Sequence, residues 1–473
     1  MEKVIPTFYA EYGRYISRFR MIPSNIDCLI PVERRVLVIM NRFGSAHPVK
    51  SFKIDGCVTG ELHPHGSAYG TITQLVRNGF ASSDEGSWGG IGWIDAPAAA
   101  SRYTETRILP WVSKFAFEFI KYVPWEMLEL DSEPLYLPSI LPLGLIGNGI
   151  FSSISFYKTV IPKYSKEDLA KRLEWLVVNG KPQPPKSWNS KMTEDKYGPC
   201  IKPNKTDCEL VESEKNSYYK LLMKGEGDIE YRPHVYVKTI EVDGEKKKQK
   251  QQVVSVEGRA PNTNFDAIRR AEEKNLLPLA CSPIDQSKKM DVKVYFELKR
   301  GTNAEEFAEK LSEKYLNKVT HFKCYMCDLD GVVSLTPIDD LLLNCYSKWK
   351  TAYVAKLKAD VLKVNEKILE YHVCSFIRDR IKENTNNLEE ILKKWKKKTT
   401  IDMYNVDEEN KIYTEKYEVT LEDISNIYNG TSVKRLVEYK STLEESENRI
   451  KSLQNELDNL DDICLGRIRE IYA

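Results

Sequence analysis

Long apolar runs are missing from this 473-residue chain, and so is any bias of charge. No run of 18 or more apolar residues occurs, so no bilayer-spanning helix and no membrane partner are expected. The N-terminus, Met-Glu-Lys-Val-Ile-Pro-Thr, lacks the apolar core of a secretory signal. Lys plus Arg number 70 and Asp plus Glu 69, so the net charge of +1 does not by itself announce nucleic acid. The ten cysteines are scattered without a small-domain disulfide framework, as for reduced thiols inside a cell. Cys324 and Cys327 form a C-x-x-C with no second pair at metal-binding spacing, so packing is expected of them rather than zinc or redox work. No glycine-rich ATPase loop appears, and no Glu-Gly-Asp-Ser-Ala or Asp-x-Asp cluster of the kind that binds catalytic magnesium. Asp328-Leu-Asp-Gly331 has the letters of such a cluster but reads as a hairpin turn.

What is present is unevenly spread. Residues 14–53 hold eight basic side chains (Arg14, Arg18, Arg20, Arg34, Arg35, Arg42, Lys50, Lys53) against two acidic ones, Asp27 and Glu33. Such a segment is either a phosphate-facing surface or an ordinary solvated face. The length predicts several domains. Arg34–Arg42 reads as a helix, 50–65 leads to a second helical unit, and Asp84–Gly92 reads as a glycine-rich wing, a winged-helix pattern. Beyond residue 131, alternating apolar residues predict strands at 231–240, 252–256 and 292–298, with a solvated hairpin tip at Lys246–Lys250. Helical patterns fill 264–274 and 304–314. The last third carries heptads: Val354, Leu357, Val361, Val364, Ile368 and Tyr371, then Leu436, Leu443, Ile450, Leu457 and Cys464. The expected class is α+β multidomain. An arm (1–27) precedes a winged-helix domain (28–130) and an α/β tower domain (131–338). A long antiparallel coiled coil follows (339–371 with 431–465), carrying a small helical dimerisation tip (372–430).

The most informative run is Ala98-Ala-Ala-Ser-Arg-Tyr-Thr-Glu-Thr-Arg107. A phenol with a pKa of about 10 attacks weakly unless its surroundings stabilise the phenolate. Arg102 could do that beside Tyr103, and its guanidinium could also hold a phosphate. A buried core tyrosine explains Tyr103, taken alone, about as well.

Taken together, these blocks resemble the breakage-and-rejoining subunit of type IIA DNA topoisomerases, the gyrase A and topoisomerase IV C group, and within it the separate medium subunit of T-even-like phages. The likeness rests on Arg20-Met-Ile-Pro23, Pro31-Val-Glu-Arg-Arg-Val-Leu37, Ser51 to His63-Pro-His-Gly66, Ala98–Arg107 and Pro138–Gly149, in order. It implies that Tyr103 attacks a DNA phosphodiester to give a 5′-phosphotyrosine. Arg102, His65 and Arg20 would be its catalytic companions. Arg34, Arg35, Lys50, Lys53, His63, Ser67 and Arg107 would contact DNA. Ile154, rather than Ser153, would intercalate between bases. No metal is expected on this chain; Mg²⁺ and ATP are expected on a separate ATPase/Toprim-bearing subunit. Double-stranded DNA, a homodimer through the tip and a hetero-oligomer with that subunit are the implied partners, in the cytoplasm of a bacterium or phage-infected cell. ATP-dependent relaxation and decatenation are expected, without negative supercoiling, since no DNA-wrapping domain follows the coiled coil.

Three departures qualify the likeness. Ile30 and Glu61 stand where the family usually has lysines, and the segment after Gly66 is two residues shorter. The last departure predicts weak sensitivity to quinolone drugs. The rival readings are a catalytically silent winged-helix scaffold, and a magnesium nuclease for which no carboxylate cluster is present.

Overall fold

The computed structural model describes residues 4–127, 130–154, 157–188, 192–204, 207–243, 248–382, 393, 399–430 and 443–473. The chain forms two compact units, 1–349 with 468–473, and 350–467.

In the first unit, helix Val4–Ile16 runs into a π-turn at Ser17–Met21, followed by helices Pro31–Phe43, Ser51–Cys57 and Tyr69–Arg77. The Pro31–Phe43 helix begins with proline, whose missing N–H costs nothing at a first turn. Its Glu33 carboxylate accepts from the Ile30 backbone N–H, and Gly44 ends it at φ 81°. Downstream lies one antiparallel sheet. Its strand order is Ile284–Asp285, Lys293–Glu297, Lys248–Glu257, Glu226–Asp243, Lys318–Lys323, Lys158–Pro162, Ile150–Ile154, with Cys208–Glu212 also paired to Glu226–Asp243. Alternation decides which face is covered. Val254, Val256, Val294 and Phe296 turn one way and pack beneath helices Asp266–Glu273 and Ala304–Leu311 through Phe265, Ile268, Phe307 and Leu311. The strands and helices expected in this region are present. Of the expected hairpin tip at Lys246–Lys250, residues 246 and 247 lie outside the described residues, and Lys248–Lys250 belong to strand Lys248–Glu257. Asp328 does begin a turn, accepting from the N–H groups of Asp330 and Val332 between strands Tyr325–Cys327 and Val333–Leu335. Cys324 and Cys327 are buried free thiols, and burial pushes Cys327 up to about 12, so neither is reactive near neutrality.

The glycine-rich segment Asp84–Gly92, expected as a wing, leads into residues that pack on the sheet. Trp93 lies tilted against Phe265, ring centres 5.5 Å apart, and meets Phe296 edge-on. Asp95 pairs with Arg259 at 2.6 Å, and Ile91 N–H donates to the Lys289 carbonyl.

Helix Ile338–Lys382 starts in the first unit. There Asp339, beside the helix N-terminus, pairs with Arg172 of helix Lys166–Asn179 at 2.7 Å, both side chains fully buried. Arg172 also donates to the carbonyls of Tyr197 and Pro199, so its guanidinium makes four hydrogen bonds in all.

In the second unit, helix Leu443–Asp458 and its continuation, followed to residue 467, run antiparallel to residues 350–360 of the long helix. Lys350 pairs with Asp461, Arg449 lies 3.8 Å from Asp360, and the Arg467 guanidinium sits 4.9 Å from the Tyr353 ring centre. Leu357, Val361, Val364 and Ile368 are buried, as are Ile450, Leu453, Leu457 and Cys464; Leu436 lies outside the described residues. The tip, expected to be helical, is not wholly so. Thr400–Val406 and Ile412–Glu418 form a β-hairpin whose turn holds Asn410 at φ 64°. Alternating Ile401, Met403 and Asn405 favour a strand, and the Asn365 side-chain amide bonds both backbone groups of Tyr404.

Removing one member of the buried pair leaves the other charge uncompensated. Asp339→Ala is expected to lower unfolding stability by about 3–5 kcal/mol. Asp340→Ala, next in sequence but partly exposed against Lys181, is expected to cost under about 1 kcal/mol. Urea midpoints of the two variants check this.

Candidate active site

The loop carrying Tyr103 is clamped at its back and open at its front. Lys50 and Val49 pair as a short strand with Glu105 and Thr106. At the start of the Ser51–Cys57 helix, the N–H groups of Ser51 and Phe52 donate to the carbonyls of Thr104 and Ser101 at 2.9 and 3.1 Å, so loop carbonyls satisfy donors that a helix N-terminus leaves over. The Tyr69 hydroxyl bonds the Ala99 carbonyl and lies 3.1 Å from the Thr104 hydroxyl, which donates to Ser51 at 2.8 Å. Thr104 and Thr106 are completely buried, whereas Tyr103 between these fixed points is 58% exposed. The Arg102 guanidinium carbon sits 4.6 Å from its ring centre. A core role for this tyrosine is thereby removed.

A second group gathers around His63-Pro-His-Gly66. Asp55 holds the segment after it, accepting from the Ser67 hydroxyl at 2.7 Å and the Ala68 N–H at 2.6 Å. Arg20, on the π-turn, places Nη2 2.8 Å from His65 Nε2. The His63 and His65 rings meet edge-on at 5.3 Å, and Arg35 Nη1 lies 2.9 Å from His63 Nδ1. The structure thus brings Arg20, His63 and His65 together, and Arg102 with Tyr103.

Several expected DNA contacts lie elsewhere. Arg34 and Arg35 are buried rather than turned to phosphate: Arg34 forks onto Asp27 at 2.7 and 3.0 Å, and Arg35 onto Glu133 at 2.6 and 3.0 Å. Their positive charge is already neutralised inside the fold, which corrects the expectation for both. Arg107 donates to the Ala46 carbonyl at 2.7 Å and faces Asp84 at 3.5 Å, so it fastens a loop. Lys50 pairs with Glu105 at 2.7 Å; that hydrogen bond raises the ammonium and lowers the carboxyl from their ordinary values. Lys53 is exposed, 5.0 Å over the Phe43 ring. The Ser67 hydroxyl is committed to Asp55. Ile154, the last residue of its strand, is 76% exposed, while Ser153 is half-buried.

A groove of about 700 Å³ has a lining that includes Ile30, Ser67, Gln74, Asn148, Lys163 and Arg259. Lys163 is buried, donates to the Gly144 carbonyl, and burial pushes its ammonium down; burial likewise pushes the Glu33 carboxyl up. Sequence reasoning missed Asp55, Glu133 and Lys163 as parts of this region. Only Asp55 lies within a recognised block; the other two meet it through contacts between distant segments.

Residues 20–469, nearly the whole chain, match the A-subunit family of DNA gyrase and topoisomerase IV. The chain belongs to that family. It is 33% identical to the A-subunit of DNA topoisomerase 4 from Bacillus subtilis (strain 168) over 179 residues, 35% of this chain and 22% of that protein. It is 24% identical to the corresponding A-subunit of DNA topoisomerase 4 from Streptococcus pyogenes serotype M18 over 395 residues, 78% of this chain and 44% of that protein. The chain therefore spans less than half the length of these curated relatives. In this chain a clamped loop holds an outward phenol, and His63 of the histidine pair is backed by the buried Arg35–Glu133 ion pair. Among the described residues, no group of three His, Cys, Asp or Glu could hold a metal ion, and no helix is long and apolar enough to cross a membrane.

Burial separates the basic residues by role. Asp27→Ala should cost about 3–5 kcal/mol by stranding Arg34, whereas Lys53→Ala should stay within about 0.5 kcal/mol. Thermal or urea unfolding of the two variants distinguishes them, and similar values would contradict the assignment.

Proposed function

We propose that this chain is the DNA-cleaving and rejoining subunit of an ATP-dependent type II DNA topoisomerase, with Tyr103 as nucleophile. The observation that carries the reading is an exposed phenol on an immobilised loop, beneath a guanidinium. Membership of the family and the names of the topoisomerase 4 proteins it resembles support it. A scaffold gains nothing from holding a tyrosine out in this way.

In this reaction the Tyr103 oxygen attacks the phosphorus of a DNA phosphodiester. A P–O bond to the phenol forms as the P–O3′ bond breaks; the phenolic proton passes to a base and the 3′ oxygen takes up a proton. The product is a 5′-phosphotyrosine and a 3′ hydroxyl. One phosphoester has replaced another, so resealing needs no ATP. Arg102 stabilises charge on the phosphorane as it develops. Arg20 supplies fixed donors beside His65, and the histidines meet the phosphate near neutral pH. Lys50 and Lys53 position the duplex backbone, with Ser67 beside the histidines. Ile154, an exposed apolar side chain at a strand end, wedges between bases and offsets the unstacking by wrapping more surface.

Magnesium and ATP belong to a partner subunit in this reading. The described residues of this chain offer no donor set that fits a metal, and no step here runs through one. A homodimer closed through residues 372–430 and joined to that partner would pass a second duplex through the break, relaxing and decatenating DNA. The winged-helix, tower and coiled-coil organisation is part of the same reading.

The test mixes the chain with an ATPase/Toprim subunit, supercoiled DNA and Mg²⁺, then denatures with detergent. Protein should be found on the 5′ ends. Tyr103→Phe should abolish the adduct while shifting duplex affinity by less than about 0.5 kcal/mol. Lys53→Ala should reduce the slope of log affinity against log salt by about 1. An adduct that survives in Tyr103→Phe refutes the assignment.

A further inference from the structure

One buried and one part-buried contact meet at one guanidinium. Glu133, on strand Ser132–Pro134, takes Nε and Nη2 of Arg35 at 2.6 and 3.0 Å, with both side chains almost wholly buried. The remaining nitrogen, Nη1, lies 2.9 Å from Nδ1 of His63. A guanidinium has donors only and stays protonated. Nδ1 must therefore accept, and the neutral ring carries its hydrogen on Nε2. His65 stands edge-on to this ring at 5.3 Å, and Arg20 Nη2 lies 2.8 Å from its Nε2. Among the described residues, those meeting His63 include Arg35 from the Pro31–Phe43 helix, which Glu133 grips, and His65 from the loop.

We infer that Glu133 is a positioning residue: by fixing the direction of Arg35 it holds His63 in the Nε2–H tautomer, so that the imidazole offers a hydrogen-bond donor to a DNA phosphate oxygen without bearing charge. This rests on the reading that the site receives a phosphodiester. The bidentate grip is what gives the direction. A carboxylate that only neutralised Arg35 would be equally served by a single contact, which would leave the guanidinium free to turn. The arrangement also explains why an arginine in the phosphate-facing segment is buried: it acts on the phosphate through the histidine.

The test uses the full chain labelled with ¹⁵N-histidine. The chain has six histidines, and the His63 signals are those lost in His63→Gln. In the unmodified chain at pH 7.5, Nδ1 should read as unprotonated and Nε2 as protonated. Glu133→Gln, which keeps shape but loses the charged fork, should yield a mixture of tautomers. With the partner subunit, the same variant should form the DNA adduct roughly 10–100-fold more slowly, with unchanged duplex affinity and a pH profile displaced from that of the unmodified enzyme. Glu133→Asp should recover part of the rate, and it replaces Glu133→Gln if the latter does not fold. A proton on Nδ1 in the unmodified chain, or a folded Glu133→Gln with the original tautomer and pH profile, overturns the inference. The nitrogen measurement needs neither DNA nor partner. An unmodified enzyme that forms no adduct, yet shows the expected tautomer, refutes the cleavage reading and not the Glu133–Arg35–His63 geometry.

Discussion

The Asp27 carboxylate is the interaction on which the first unit's architecture depends. Its two oxygens accept from the Leu29 N–H, from Nε and Nη2 of Arg34, and from the Leu137 N–H, and its own carbonyl accepts from Gly144. One buried charge therefore joins the turn before the Pro31–Phe43 helix, the helix itself and a chain segment more than a hundred residues on. Such a group is tolerable inside a protein only when all its lone pairs are used. Gly144 shows how close the approach is: a Cβ there would lie 1.8 Å from the Cys28 carbonyl oxygen, and Cys28 itself is held at φ 57°. From this knot, the helix carries Arg35 toward Glu133 and His63, and the site inherits its geometry.

Charge is arranged in two layers as a result. The inner layer, Asp27 with Arg34 and Glu133 with Arg35, is balanced and dry. The outer layer, Arg20, Lys53 and Arg102, sits where solvent or a ligand reaches it. The inner layer gives orientation and the outer one attraction. A net charge near zero is compatible with a polyanionic ligand because the basic groups that matter are sorted by depth, not by number.

The sequence made the local parts of the site legible. The Ala98–Arg107 run, the His63-Pro-His-Gly66 step and the helix after Pro31 are contiguous, and their spacing maps directly onto the loop and helix observed. Depth was not legible. Arg34 and Arg35 look like a surface pair until their acids are found, one seven residues earlier and one 98 residues later. The contacts of Trp93 and Asp95 were hidden for the same reason, since Phe265, Phe296 and Arg259 lie far along the chain. The hairpin at 400–418 carried its own alternation, but the heptads on either side dominated the reading of that region.

Clamping the Ala98–Arg107 loop has a mechanical consequence. If a severed strand is tethered to Tyr103, any pull on that strand becomes a load on the protein. The load would be shared by the Lys50–Glu105 and Val49–Thr106 pairings, the two N–H groups at the start of the Ser51–Cys57 helix, and the Tyr69 hydroxyl. These bonds lie on both sides of residue 103, so force cannot peel the loop from one end. A tether of this kind keeps a broken end in register with its mate while the rest of the assembly moves.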